Sequence, residues 1–156
     1  MTERETTRFI AWSVELRQVH ARLREALRVT RDAVAAGQPV GSATRELLLY
    51  CHGFCAALDG HHRSEDRTLF PAIEAAHPEL APVLRKLEQD HSMMAHLIGG
   101  LQAAVDAQSA PATLERHLEG LAAIMESHFR YEERQLLTLL EALELDAEVD
   151  VALGEF

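Results

Sequence analysis

The chain has 156 residues, 47 % hydrophobic and 26 % charged, with a formal net charge of −10. One domain of this length buries roughly two-thirds of its unfolded surface around a single core, so size alone requires neither disulfides nor a structural metal. The acidic balance excludes a basic stripe for phosphates and disfavours anionic membranes, leaving no nucleic acid and no membrane among the expected partners.

The N-terminal MTERETTRF lacks the apolar core of a signal peptide, and no run of about eighteen apolar residues follows, so a cytoplasmic location is expected. From Arg8 to about Ala36, Leu, Ala, Arg and Glu dominate, and Phe9, Leu16, His20, Leu23 and Leu27 fall on one helical stripe. Gly37-Gln38-Pro39 ends this helix, and Ser42 or Thr44 can cap a second one with Leu47, Phe54, Leu58, His61, Glu65 and Leu69 inward. Pro71 lacks a backbone donor and should kink or end that helix at Phe70, leaving a short piece from Ala72 to Ala76 before His77-Pro78.

Pro82 suits the first turn of a third helix, whose inner face carries Leu84, Leu87, His91, Met94, Ile98, Leu101 and Val105. Ser109-Ala110-Pro111 breaks the chain again. The fourth helix then turns Leu114, Leu118, Leu121, Met125, His128, Glu132, Leu136 and Leu139 inward. The expected fold is all-α, an up-down-up-down four-helix bundle over residues 1–144, with residues 145–156 an acidic, frayed tail. Cys51 and Cys55 sit four apart on a helix, which suits buried apolar side chains better than a bridge.

The segment HHRSEDRTLF, residues 61–70, recurs as HFRYEERQLL, residues 128–137. In both, histidine precedes glutamate by four, which places imidazole and carboxylate on one helix face. Leu16-Arg-Gln-Val-His20 and Leu87-Glu-Gln-Asp-His91 extend the match to two helical hairpins, each offering a lone histidine and an HxxxE pair. His20, His61, Glu65, His91, His128 and Glu132 all fall on the apolar stripes. A core-facing carboxylate costs several kcal/mol to desolvate unless it is paired or bound to metal, so four imidazoles and two carboxylates at one level point to cations. Imidazole and carboxylate without thiolate suit iron, manganese or zinc, and two shared glutamates suit a dinuclear centre.

These residues resemble the hemerythrin-like, or HHE cation-binding, domains over residues 8–144. His61-His62-x-x-Glu65-Asp66-x-x-Leu69-Phe70-Pro71 is similar to that family's HHxxE[ED]xxLFP signature, and the order H, HxxxE, H, HxxxE is shared. The resemblance implies a hemerythrin-like bundle holding two iron ions, a di-iron centre with positions for solvent, an oxo bridge, dioxygen or peroxide. His20, His61, His91 and His128 would hold the metals and Glu65 and Glu132 would bridge them.

Oxygen-carrying hemerythrins have HxxxH in their third helix, whereas this chain has Ala95 four residues after His91. Reversible oxygen carriage is therefore not expected. The carriers' HxxxxD spacing would select Glu133, while the internal repeat selects Glu132. His96 is a lesser candidate for the missing ligand, rotated by about 140° from His91. Tyr131 reads as a bundle-boundary residue, and His62 with Asp66 as a supporting or surface pair one residue off the stripe. His52, His77 and His117 carry no spacing signal. The expected activity is reaction with, or sensing of, dioxygen, peroxide or nitric oxide, with catalase-like peroxide removal its most concrete form. An iron- or oxygen-responsive regulatory module without turnover is the alternative.

Overall fold

A computed structural model describes residues 11–36 and 42–154, with side chains described from residue 50 onward in the second stretch. The expected positions of Phe9, of the break at Gly37–Pro39, of the Ser42 or Thr44 cap and of the Leu47 side chain lie outside the described residues. Four long helices dominate: α1 (Trp12–Ala35), α2 (Ser42–Ser64), α4 (Ala81–Asp106) and α5 (Pro111–Leu140). Two short ones, α3 (Phe70–Ala76) and α6 (Val149–Leu153), complete the set. There is no strand among the described residues.

The apolar stripes do what their period demands. Leu16, Leu23, Phe54, Leu58, Leu87, Met94, Leu101, Leu118, Leu121 and Leu136 are all essentially buried. In the last turn of α5 the stripe passes through Leu140 rather than Leu139, which is only partly buried. Around the bundle, α1 packs on α2 and α5, and α4 packs on the same two, which is the up-down-up-down arrangement. Thr30 ties α1 to its neighbour, its hydroxyl lying 2.8 Å from the Ala26 carbonyl and 3.4 Å from that of Tyr50.

Pro71 does not end the second helix. It has no N–H for the carbonyl four residues back, and its ring crowds that carbonyl. The backbone widens instead into a π turn, Glu65–Leu69, in which the Phe70 N–H bonds to the Glu65 carbonyl, and α3 then continues with Pro71 in its first turn. His77, with φ −137° and ψ 73°, takes the extended form expected before proline and ends α3. After a 3₁₀ turn, Pro78–Leu80, the chain enters α4 with Pro82 in the first turn.

Between α4 and α5, Gln108 adopts φ 53°, the Gln108 N–H bonds to Val105 and the Ser109 N–H to Ala104. This is a Schellman stop with glutamine at the left-handed position, followed by Pro111 at the start of α5.

The stretch after Leu140 corrects the expectation of a frayed tail. Leu143, Ala152 and Leu153 are buried, Leu145 and Val149 pack against the core, and Glu144, Asp146, Glu148 and Asp150 point outward. The acids masked an apolar face that lays α6 across α2, the π turn and α1.

Leu101 lies ten residues, roughly 15 Å along α4, from His91. Leu101→Ala should lower unfolding free energy by about 2–5 kcal/mol in denaturant titrations while leaving metal content unchanged.

Candidate metal centre

Seven ionisable side chains meet near the end of the bundle where α1 begins and α2 ends. α1 contributes His20; α2 contributes His61 and His62; the π turn contributes Glu65; α4 contributes His91; and α5 contributes His128 and Glu132. None is more than 4 % exposed. Leu16, Leu69, Leu87 and Leu136 lie one turn beyond them and Leu23, Leu58, Met94 and Met125 one turn behind, so the polar layer is enclosed by apolar ones.

The donors form two groups, each with atoms within 4.8 Å of one another. One is His62, Glu65, His91 and His128; the other is His20, His61 and Glu132. The carboxylates stitch them together. Glu65 Oε1 lies 3.2 Å from His61 Nε2 and 3.5 Å from His91 Nε2. Glu132 lies 3.4 Å from His20 Nε2 and 3.2 Å from His128 Nε2. Each glutamate therefore faces one histidine of each group.

Other oxygens hold the far side of the rings. His91 Nδ1 donates to Asp66 Oδ1 at 2.8 Å, His128 Nδ1 to Asp90 Oδ2 at 3.2 Å, and His61 Nδ1 to the Leu153 carbonyl at 2.7 Å. His20 Nδ1 is 3.7 Å from Glu133 Oε2, which Arg24 also contacts at 3.3 Å. Such partners leave Nε2 of each ring aimed at the centre. Stacking fixes the ring planes: His20 lies on Phe129 with centroids 3.8 Å apart, and His62 on His91 at 4.0 Å.

Electrostatics at the centre are unbalanced. Burial, then the facing Glu132 carboxylate, pushes Glu65 well above the usual carboxylate range. Burial also works to raise Glu132, but Glu65, His128 and His20 outweigh it and hold it well below that range. Burial, then the neighbouring His20 charge, drives His61 down to about 3. His62 is likewise held well below its ordinary value by burial and by His91, His61 and His128. His20 goes the other way, because Glu132 and Glu133 outweigh its burial. No well-formed hydrogen bond reaches Nε2 of His62 or any carboxylate oxygen of Glu65 and Glu132. Lone pairs left without partners in a dry layer are what cations satisfy, and the donor set fits them.

The structure brings His20, His61, Glu65, His91, His128 and Glu132 together and leaves two further candidates aside. His96 is exposed on α4. Glu133 touches His20 from outside and joins neither donor group.

His62 is a correction. It is 3 % exposed and lies among the donors of the first group, not at the surface. Adjacent residues on a helix are about 100° apart, and α2 is seated so that its inner face is split between them, with His61 towards His20 and His62 towards His91. The signal was the HH doublet itself, because His62 is three residues before Glu65 and shares its face.

Ala95 also changes meaning. It is exposed, and Met94 holds the inward place, so a histidine at 95 would point out of the bundle. Tyr131 is partly buried, with Lys86 Nζ 4.8 Å from its ring centroid, the boundary position expected of it.

A family model described as the hemerythrin HHE cation binding domain matches residues 13–140. No curated protein and no solved structure matches the chain at a significant level.

Two outcomes follow from the placements. Ala95→His should leave metal content unchanged in elemental mass spectrometry, since the new ring lies outside the site. In chelator-treated protein His62 stays neutral where its unfolded counterpart takes a proton, so below pH about 6.5 the unfolded chain binds more protons and this residue's contribution turns against folding. Relative to wild type, His62→Leu should therefore gain about 1 kcal/mol more stability at pH 5.5 than at pH 7.5, measured by denaturant titration. An equal difference at both pH values would sink this reading of His62.

Proposed function

Because the chain belongs to the hemerythrin family of HHE cation-binding domains, we propose that it is a non-haem di-iron protein that reacts with or senses dioxygen, peroxide or nitric oxide. His62, His91 and His128 would hold one iron, His20 and His61 the other, and Glu65 and Glu132 would bridge the two. The observation that carries this reading is that each buried glutamate faces one histidine from each donor group. Two iron ions would supply one-electron redox changes and open coordination positions for a small diatomic molecule or peroxide.

The protein's own contribution is positioning and exclusion. Asp66, Asp90 and the Leu153 carbonyl hold three rings in one tautomer. The leucine and methionine layers keep bulk water from the centre. Three histidines against two make the halves unequal, and the His20–His61 half, with fewer protein donors, is where we place the open position. Catalase-like removal of peroxide is the most concrete activity for a paired redox centre with an open position.

A regulatory role without turnover is the second reading. It is supported by the hydrogen bond from His61 to α6, which ties the site to a short helix outside the bundle. No helix among the described residues is long and apolar enough to cross a membrane. We place the protein in the cytoplasm, where the buried free thiols of Cys51 and Cys55 would stay reduced.

Reconstitution with ferrous iron in air should give about two irons per chain by elemental mass spectrometry, with a visible absorption band that changes on adding peroxide. His62→Ala should retain about one. Oxygen evolution from peroxide would select the catalase-like form, and a large chelator-induced loss of thermal stability without turnover the sensor. Wild-type protein binding no iron and showing no band would overturn both.

A further inference from the structure

The short helix α6 is more than a cover for the bundle end. Its last carbonyl, Leu153 O, lies 2.7 Å from His61 Nδ1, and a carbonyl can only accept, so His61 carries its proton on Nδ1 and presents Nε2 to the centre. The next residue, Gly154, has φ +96°, a backbone conformation that residues with a Cβ rarely adopt. A Cβ there would stand 2.9 Å from the backbone N and Cα of His61, a contact with rigid backbone that cannot be relieved by turning a side chain. Glycine is thus what lets the chain end of α6 lie against the helix turn that carries His61.

The remaining contacts make this a clasp. Ala152 and Leu153 are fully buried, while Asp150 and Val151 face outward. α6 has one full helical turn, with the Val151 and Ala152 N–H groups on the Glu148 carbonyl and the Gly154 N–H on that of Asp150. A helix this short does not persist alone in water, so its order depends on docking.

We infer that residues 149–154 are a metal-coupled clasp: Leu153 and Gly154 are positioning residues for His61, and filling the His20–His61 half of the site and docking α6 stabilise one another. This rests on the two-metal reading of the centre. Coupling of this kind is reciprocal: whatever α6 adds to metal retention, metal adds to α6 docking. The docked and undocked forms of α6 then report occupancy of that half at the protein surface, which deepens the regulatory reading above.

The test compares wild type, Gly154→Ala, a chain lacking residues 149–156, and Val151→Ala as an outward-facing change on the same helix. Ferrous iron or Co2+ alone is the probe. In the clasp-deficient chains one metal should be lost to a chelator at least about tenfold more readily than in wild type, the other being retained, and Val151→Ala should behave as wild type. Hydrogen exchange at Val151, Ala152 and Gly154 should slow on metal loading of the wild type.

The nitrogen-15 shifts of the His61 ring in metal-free protein provide a readout that general bundle damage would not give. They should report one Nδ1–H tautomer in wild type and a tautomer mixture in the truncated chain, with far-ultraviolet circular dichroism unchanged apart from the lost turn. Equal retention of both metals in all four proteins, or α6 exchange indifferent to metal, overturns the clasp. Failure of the wild type to bind a pair of metals counts against the two-metal reading instead, and the clasp's hold on His61 is then judged by the ring tautomer alone.

Discussion

Everything near the end of this bundle is arranged around one cost, that of placing two carboxylates and five imidazoles in a layer closed to water on both sides. Their mutual attractions do not cover it. Glu65 is pushed towards its neutral form and His61 is kept from protonating, which is how a group responds when the cost of burying its charge outweighs the neighbours that favour it. Cations at the centre would reverse that response, since they favour the ionised carboxylate and the neutral ring together.

The surroundings support the same arrangement. Ring planes are set by Phe129 under His20 and by His62 against His91, and ring rotation by Asp66, Asp90 and the Leu153 carbonyl. Arg24 joins this outer ring from α1. It reaches Glu126 at 2.8 Å and Glu133 at 3.3 Å and lies over the Phe129 ring, 5.4 Å from its centroid. A partly exposed pair of this kind contributes little to stability by itself, but here it braces the ring stacked on His20. The π turn belongs to the same economy of position, because Pro71 forces one extra residue into the turn that starts at Glu65 and carries both Leu69 and Phe70 into the core.

Most of the site was legible because its residues break the pattern that surrounds them. A histidine or glutamate on a leucine stripe is recognisable from period alone, and His20, His61, Glu65, His91, His128 and Glu132 all lie where that period placed them. His62 was not legible in this way. A single stripe per helix has room for one of two adjacent residues, whereas α2 sits between two neighbours and buries both flanks. On α4 the inner stripe runs from His91 through Met94 to Ile98 as the period placed it, which leaves Ala95, four residues after His91, exposed.

The amino-acid sequence by itself determined the class of fold, the four long helices, the breaks at His77-Pro78 and Ser109-Ala110-Pro111 and the six histidines and glutamates on the inner stripes, because helical period and local breakers act within a few residues. It also determined the family, through the HHxxE signature and the repeated HxxxE. Tertiary structure alone decided how the donors divide into two groups, that His62 is among them, and that the acidic stretch after residue 144 folds back to hold His61 through Leu153 and Gly154. Those are contacts between residues far apart in the chain, 92 positions for His61 and Leu153, and no local pattern encodes the angle at which one helix faces another.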